Sequence, residues 1–472
     1  IYDRLEREDY GYDTVVTKEY LDGNVYRINT KVYYNDSYTM RGVMKQSFLT
    51  DAQGNKYIEN RYEYRPAEIT TGKYIETNTP ISCVGDGYPA LYKERTLYYE
   101  GQPEAGIVTE KEYKYGEFGN ITEYYNRGSL ASSDDDVKAT MTYSFNRAKY
   151  IVSMVKDVAV TNAAGKLLRK RSADYDDKGS VSRLTLFVEN ENNSIYDYEY
   201  DRYGNISRAT MPENDNGQRM QIAYRYDKRV HSYPVRTTNS FGYSSSAQYD
   251  YRWGVPLLTV DIAGNRMEYT YDTRGRLKTV RSPKEIAANV PYTIKHTYWD
   301  EQKYRFEYIK SYARYIQVSE QTNNNLGYMF LETKSYLPNL VRGLFANTYH
   351  YDSDHKGNEI VTRTFADGLG RVMRVVTDAE IDEKKVPIAS TRNIYDGLQR
   401  VVRQYQPAEL KISYPSDTLL FSSLDTKKAF YSTTDYDILD RPTRIVNADG
   451  TVVRYSYGID APFFRTDITD PN

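Results

Sequence analysis

The residues best able to do chemistry in this 472-residue chain are four histidines, one cysteine and scattered clusters of carboxylates. The densest group is His350-Tyr351-Asp352-Ser353-Asp354-His355. On a strand, His350, Asp352 and Asp354 share a face and could approach one metal ion, with His355 available from a turn. The same aspartates also fit the turn of a repeat described below. That explanation is the more economical, and no metal ligand is assigned. Asp174-Tyr175-Asp176-Asp177-Lys178-Gly179 begins like a calcium loop, but Lys178 takes the third ligand position and Thr185 stands where a bidentate Glu is needed. Asp134-Asp135-Asp136 reads as a solvated loop and Ser244-Ser245-Ser246 as a polar bend between repeats. Cys83 lies in a glycine-rich stretch with no histidine before His231 to activate it, so it reads as an incidental or buried thiol. No Gly-x-Ser-x-Gly elbow or Gly-x-x-x-x-Gly-Lys loop appears. The expectation is therefore no enzyme, and no catalytic, cofactor-binding or metal residue.

Charge narrows the partners. Lys and Arg number 63 and Asp and Glu 65, a formal charge of −2, which gives no global electrostatic case for nucleic acid or an anionic membrane surface. A single cysteine cannot form an internal disulfide, and no segment is long and apolar enough to span a bilayer as a helix. The start at Ile1 and the end at Asp470-Pro471-Asn472 read as those of a piece of a longer polypeptide.

The elements that position these residues are announced by tyrosine, 52 residues against 13 Phe and 2 Trp. A tyrosine ring buries while its hydroxyl seeks a partner, which suits a pleated surface with a dry and a wet side. One pattern recurs: Asp-x-x-Gly-[Asn/Arg], at Asp51–Asn55, Asp201–Asn205, Asp261–Asn265, Asp272–Arg276, Asp354–Asn358 and Asp367–Arg371. Roughly 0.3 copies are expected by chance at this composition. Looser copies start at Gly116, Asp176, Asp396 and Asp437. The aspartate can accept from backbone N–H groups of a tight turn, and the glycine can take the left-handed conformation that closes it. Tyrosines two apart lead into the turn, as in Tyr198 and Tyr200, Tyr224 and Tyr226, Tyr269 and Tyr271, and Tyr349 and Tyr351. Each unit thus reads as strand, turn, strand, with tyrosines at 175, 200, 226, 251, 271 and 298 marking its period. Isolated hairpins are marginal, so many must pair edge to edge, and the resulting sheet twists. Structural ladders account for the tyrosines more economically than stacking on sugar rings or bases.

These residues resemble the YD repeats of the Rhs family. The stretch from Tyr198 to Pro283 carries the resemblance, with Trp253-Gly254-Val255-Pro256, then Asp261-x-x-Gly264-Asn265, then Tyr269-Thr270-Tyr271-Asp272-Thr273-Arg274-Gly275-Arg276-Leu277. Asp367-Gly368-Leu369-Gly370-Arg371 and Tyr395-Asp396-Gly397-Leu398-Gln399-Arg400 look more like the toxin-complex B component and Salmonella virulence-type branch. The resemblance implies an all-β chain whose tandem hairpins form a continuous curved, spiralling sheet, part of a hollow shell. Residues 1–112 are expected to be degenerate repeats at the start of that strip, and 113–472 a shell segment that continues beyond the chain. The implied function is to enclose and protect a C-terminal toxin or other cargo polypeptide, made in the same or a partner chain, in a secreted or cell-surface protein with other shell or secretion subunits. The alternative is a teneurin-like adhesion or glycan-binding module. No cofactor is implied, and the self-cleaving core of the family has no counterpart here. Individuality is expected in the insertions: 66–110 as long loops between short strands, 305–346 without a turn motif, and 406–432 as a short helix or irregular crossover.

Overall fold

The computed structural model describes residues 2–3, 8–35, 39–75, 87–188, 193–298, 322–323, 329–330, 344–350, 360–366, 371–381, 384–409, 430–461 and 463–470. Cys83, the residues Asp352 to His355, the turn at Asp367–Gly370 and most of 305–346 and 406–432 lie outside them. The chain forms two compact units. One comprises Ile1–Ser246, Asp435–Ile445 and Val452–Asn472; the other comprises Ala247–Thr434 and Val446–Thr451.

The fold is nearly all β and antiparallel, built of tandem hairpins, and the sheet is not closed. In the first unit, each strand from Thr14–Leu21 to Pro234–Asn239 pairs antiparallel with its sequence neighbours. In the second, Val255–Val260, Arg266–Tyr271, Leu277–Arg281 and Ile294–Tyr298 continue in the same way. Ile294–Tyr298 then pairs with Leu344–His350, so the residues inserted between them leave the ladder unbroken. Ile360–Ala366, Val372–Ile381, Lys384–Tyr395 and Val401–Tyr405 follow in order. The one α-helix among the described residues is the single turn Pro283–Ala287.

The turn chemistry explains why the chain reverses where it does. At Asp201 the backbone N–H bonds to the carbonyl of Asn205 at 2.9 Å, and the N–H of Gly204 bonds back to the carbonyl of Asp201 at 3.2 Å. Asp201 Oδ1 accepts from the N–H groups of Tyr203 and Asn205 at 2.8 and 3.0 Å, so the acidic side chain satisfies donors that no strand can reach. Gly204 sits at φ 88°, in the left-handed region where a Cβ is costly. The same bonds form at Asp51, Asp176, Asp261 and Asp272. In the looser copies at Asp396 and Asp437 the left-handed position is held by Gln399 and Asp440 instead of glycine.

Several of the buried apolar residues are alanines or valines, and some of these face tyrosines. Ala209 lies opposite Tyr198 and Val280 opposite Tyr269, so a ring can lean over a short cross-strand partner.

Three expectations need correction. Ser244-Ser245-Ser246 is no bend: these residues open the strand Ser244–Asp250 and pair with Thr238, Thr237 and Arg236. The reversal falls earlier, at Asn239–Tyr243, where Asn239 replaces the turn aspartate. Tyr251 follows that strand and lies in the next turn, so the strand tyrosine of this repeat is Tyr249. Residues 66–110 hold long strands, not short ones. Lys56–Glu68 pairs with Gly87–Tyr98 through Pro66 opposite Pro89, a pair in which neither residue is asked to donate.

Gly275 and Gly204 separate two costs. Both have positive φ, but a Cβ on Gly204 meets nothing within 4 Å, whereas on Gly275 it would lie 2.6 Å from the Trp253 ring. Gly204→Ala is expected to cost about 1–2 kcal/mol through backbone strain alone. Gly275→Ala should cost a further ~1–3 kcal/mol because Trp253 must move. Urea denaturation of the two variants checks this; equal losses would show that Trp253 does not seat on the turn.

Candidate functional site

What recurs on this sheet is a set of contacts that fasten each hairpin to the previous one. A tyrosine in the later part of one strand donates its hydroxyl to a backbone carbonyl at the start of the strand that precedes it. Tyr143 reaches Ile121, Tyr200 reaches Val181, Tyr226 reaches Ile206 and Tyr298 reaches Leu277, at 2.7, 2.9, 3.0 and 2.9 Å. Tyr271 bonds to Pro256 at 2.8 Å, Tyr395 to Val372 at 3.1 Å and Tyr457 to Pro442 at 2.8 Å. The ladder between Ile206–Glu213 and Arg219–Tyr226 begins at Arg208 opposite Ala223, so the Tyr226 hydroxyl extends it beyond its last backbone pair.

Burial raises the pKa of Tyr200, Tyr226, Tyr271 and Tyr298, and pushes Tyr115 up to about 12. These hydroxyls stay protonated and remain donors throughout the neutral range. Because the folded values are raised, the stability they contribute is complete below the unfolded value near 10 and fades as pH climbs through the folded values.

The choice of Asn or Arg at the end of the turn has the same logic. Asn120 and Asn205 donate through Nδ2 to the carbonyls of Val152 and His231, each at 2.6 Å. Arg276, Arg371 and Arg441 lay their guanidinium groups over the rings of Tyr298, Tyr395 and Tyr457, 4.3, 4.5 and 4.1 Å from the centroids. Amide or guanidinium, the residue reaches across to the following repeat.

Within the first unit, a second kind of contact joins parts of the chain far apart in sequence. Tyr26 donates to the carbonyl of Asp437, and Arg27 reaches Ile438 O at 3.0 Å and Asp440 Oδ2 at 2.7 Å. Arg441 forks onto Glu100 at 2.7 and 3.1 Å while also holding Asp437. Phe464 stands edge-on to Tyr98, with centroids 4.9 Å apart. A turn near the end of the chain is thus clasped by its first strands.

Two buried glutamates anchor the same region. Glu59 is fully buried and bonded by Lys56 at 2.7 Å, the Tyr99 hydroxyl at 3.0 Å, Gln46 at 2.6 Å and Arg61. Burial alone would raise its pKa, but Arg61, Lys56 and Tyr99 outweigh it and hold the carboxyl at about 2. Glu110 gathers Lys93, Arg95 and Arg127 at 3.2, 2.6 and 3.4 Å, and its pKa is lowered against burial in the same way. With their oxygens so engaged, both carboxylates serve as fixed anions and cross-links.

Of Asp174–Gly179, Asp174 and Tyr175 end the strand Leu167–Tyr175 and the rest form a repeat turn, with Asp176 accepting from Lys178 N and Ser180 N and Asp177 paired to Lys149. In Asp134-Asp135-Asp136, Asp135 accepts from Ser129 N at 3.1 Å and Asp136 is buried, which raises its pKa; the loop is less solvated than expected. Cys83 and Asp352, Asp354 and His355 lie outside the described residues, and only the backbone of His350 is described, at the end of its strand. Among the described residues, no group of three His, Cys, Asp or Glu is placed to hold a metal ion.

Sequence reasoning missed the turns that begin with asparagine: Asn162–Lys166, Asn214–Gln218, Asn239–Tyr243 and Asn447–Thr451. In the first three, Oδ1 accepts from the same two-residue-on or four-residue-on N–H groups as the aspartate does. A search admitting Asn at the first position finds them.

No known family pattern matches the sequence, and no curated protein is similar to it. Solved structures do share the fold. The TcdB2–TccC3 complex aligns over 100% of this chain and 31% of its own, at 13% identity and a TM-score of 0.67. A Photorhabdus luminescens Tc holotoxin pore carrying a substitution in TccC3 aligns over 100% and 32%, at 13% identity and a TM-score of 0.68. TcdB2–TccC3–TEV aligns over 96% and 32%, at 13% identity and 0.65. The chain spans about a third of the chains it matches.

Two outcomes follow. Tyr226→Phe should cost about 1 kcal/mol and speed amide exchange around Ile206, while Tyr224→Phe, whose hydroxyl has no partner among the described residues, should leave both unchanged; equal effects would remove the proposed fastening. For Glu59, whose folded pKa is depressed, stability is present above the unfolded value near 4.5 and is lost as pH falls through about 2. Unfolding free energies of Glu59→Gln from denaturant titrations between pH 7 and 2 should start lower than those of the native chain by roughly 3 kcal/mol, and the gap should close towards pH 2.

Proposed function

We propose that the chain is a wall segment of a YD-repeat shell in a large Rhs-type toxin, and that its task is to enclose and shield a cargo polypeptide before delivery. The observation that carries this reading is the alignment of the whole chain, at a TM-score of 0.67, onto TcdB2–TccC3, a toxin-complex assembly. Other assemblies of the same fold join TcdB2–TccC3 with TEV or with Cdc42, which suits a wall that accommodates unrelated polypeptides.

The chemistry of the sheet is what such a wall requires. Turn donors are satisfied by the aspartate or asparagine that opens the turn, several carbonyls of the neighbouring strand by tyrosine hydroxyls, and the buried carboxylates of Glu59 and Glu110 by basic partners. Such a surface offers few open backbone groups to an unfolded cargo, and so limits both escape routes and adhesion to the chain inside. Its expected setting is secreted or at the cell surface, with a toxin as partner and other shell or secretion subunits completing the enclosure.

A second reading, adhesion or glycan binding, is favoured by the aromatic residues at turn tips of the first unit. Phe241 is 74% exposed and Tyr243 57%, and Tyr203 stacks on His231 with centroids 3.9 Å apart. Such rings can stack on sugars.

Protease protection tests containment. The chain is produced together with the polypeptide encoded beside it and challenged with a nonspecific protease. Containment predicts cargo that survives with the native chain and is digested when the wall is weakened by combined Glu59→Gln and Tyr226→Phe changes. Digestion at one rate with and without the chain, coupled with retention on a glycan array that Phe241→Ala abolishes, would replace containment by adhesion.

A further inference from the structure

In the second unit, the strands Val372–Ile381, Lys384–Tyr395 and Val401–Tyr405 carry a row of residues that the repeat does not explain. Arg374 lies directly opposite Arg392, and Arg392 directly opposite Tyr405. Arg374 is only 1% exposed, and its Nε, Nη1 and Nη2 atoms are all buried without a hydrogen-bond partner; Arg392 Nη1 is in the same condition. The Arg392 guanidinium lies over the Tyr405 ring, 4.6 Å from its centroid, and Tyr405 is itself buried. Fully buried Val376 and nearly buried Ala389, paired across the same two strands, flank the row on its apolar side.

This arrangement conflicts with how the rest of the chain treats charge. The two buried glutamates are each matched by cations: Glu59 by Lys56 and Arg61, and Glu110 by Lys93, Arg95 and Arg127. Like charges directly opposite on neighbouring strands are destabilising, and a buried unpaired guanidinium is costlier still. Burial, together with the charge of Arg392, lowers the pKa of Arg374 to about 10, which still leaves it charged at neutral pH. The cation therefore cannot escape its predicament by losing a proton under ordinary conditions.

We infer that Arg374 and Arg392 form a binding site for a carboxylate. Four buried N–H-bearing nitrogens on two adjacent planar guanidinium groups match the two oxygens of a carboxylate, which can take parallel hydrogen bonds from such a fork. The flanking Val376, Ala389 and Tyr405 ring suit an anion carried on a hydrocarbon stem. This site is independent of the containment reading: it holds whether the sheet is a wall or an adhesive surface. The carboxylate comes either from a small free acid or from an acidic side chain of a polypeptide laid against the sheet.

The test uses the whole 472-residue chain and two probes, acetate and a blocked Ala-Glu-Ala tripeptide, each at constant ionic strength against chloride. The thermal midpoint should rise and saturate with the probe, and equilibrium dialysis with radiolabelled probe should approach one bound probe per chain. Both responses should vanish in Arg374→Met and persist in Arg252→Met, which alters a surface arginine. Saturation by tripeptide at a tenfold lower concentration than acetate identifies a polypeptide source; similar concentrations identify a small acid. A midpoint that follows acetate and chloride alike, with no saturable retention of either probe in dialysis, overturns the site. Where Arg374→Met fails to fold, Arg374→Lys, which keeps the cation and loses the planar fork, decides the matter: retention at least fivefold weaker supports the site, and unchanged retention overturns it.

Discussion

The structure depends on one hydrogen bond repeated: a tyrosine hydroxyl given to a carbonyl at the start of the preceding strand. A run of hairpins buries little, because each strand has only its neighbours to lean on, and several of the buried apolar residues are as small as alanine, such as Ala67, Ala90, Ala173 and Ala209. In that setting, the side-chain bonds from Tyr200 to Val181 and from Tyr226 to Ile206 do the work that a second packed layer does elsewhere. They also explain why tyrosine and not phenylalanine dominates the composition. The ring fills the pleat over a small cross-strand partner while the hydroxyl ties off the backbone.

Much of this was legible because its causes are local. Asp201 and Gly204 meet within one turn, so their chemistry can be read from four adjacent residues, and the hairpin follows from it. Asn239 does the work of Asp through the same oxygen, which a pattern confined to aspartate overlooks. The polar composition of Ser244-Ser245-Ser246 suggests a bend, yet strand pairing with Arg236–Thr238 overrides it, because a turn two residues earlier has already reversed the chain. Proline at 66 and 89 suggests loops by the same kind of local reasoning, and is admitted to strands because the two residues face each other.

Non-local features gave no such signal. Arg441 is a turn residue by its spacing from Asp437, but its bond to Glu100 spans 341 positions, and that of Arg27 to Asp440 spans 413. Nothing in the neighbourhood of Glu59 announces that Lys56, Arg61 and Tyr99 converge on it, since Tyr99 arrives from another strand. Arg374 and Arg392 are likewise ordinary in sequence, and become unusual only when the register sets them face to face. The repeat determines the path of the chain. The charges that lock it, and those left unmatched, are set by which strands happen to become neighbours.

Because the recurring tyrosine bonds, such as Tyr200 to Val181 and Tyr226 to Ile206, reach only to the preceding strand, cohesion along the strip is a nearest-neighbour property, with stability accumulating as a sum of similar increments. Under tension applied to one end, such a strip would peel in regular steps, one hairpin at a time, and show a sawtooth of nearly equal forces. The clasp of Tyr26 and Arg27 on the Asp437–Arg441 turn belongs to a different mechanical class. It bears load in parallel across distant links, so rupture there would register as one large event ahead of the regular series.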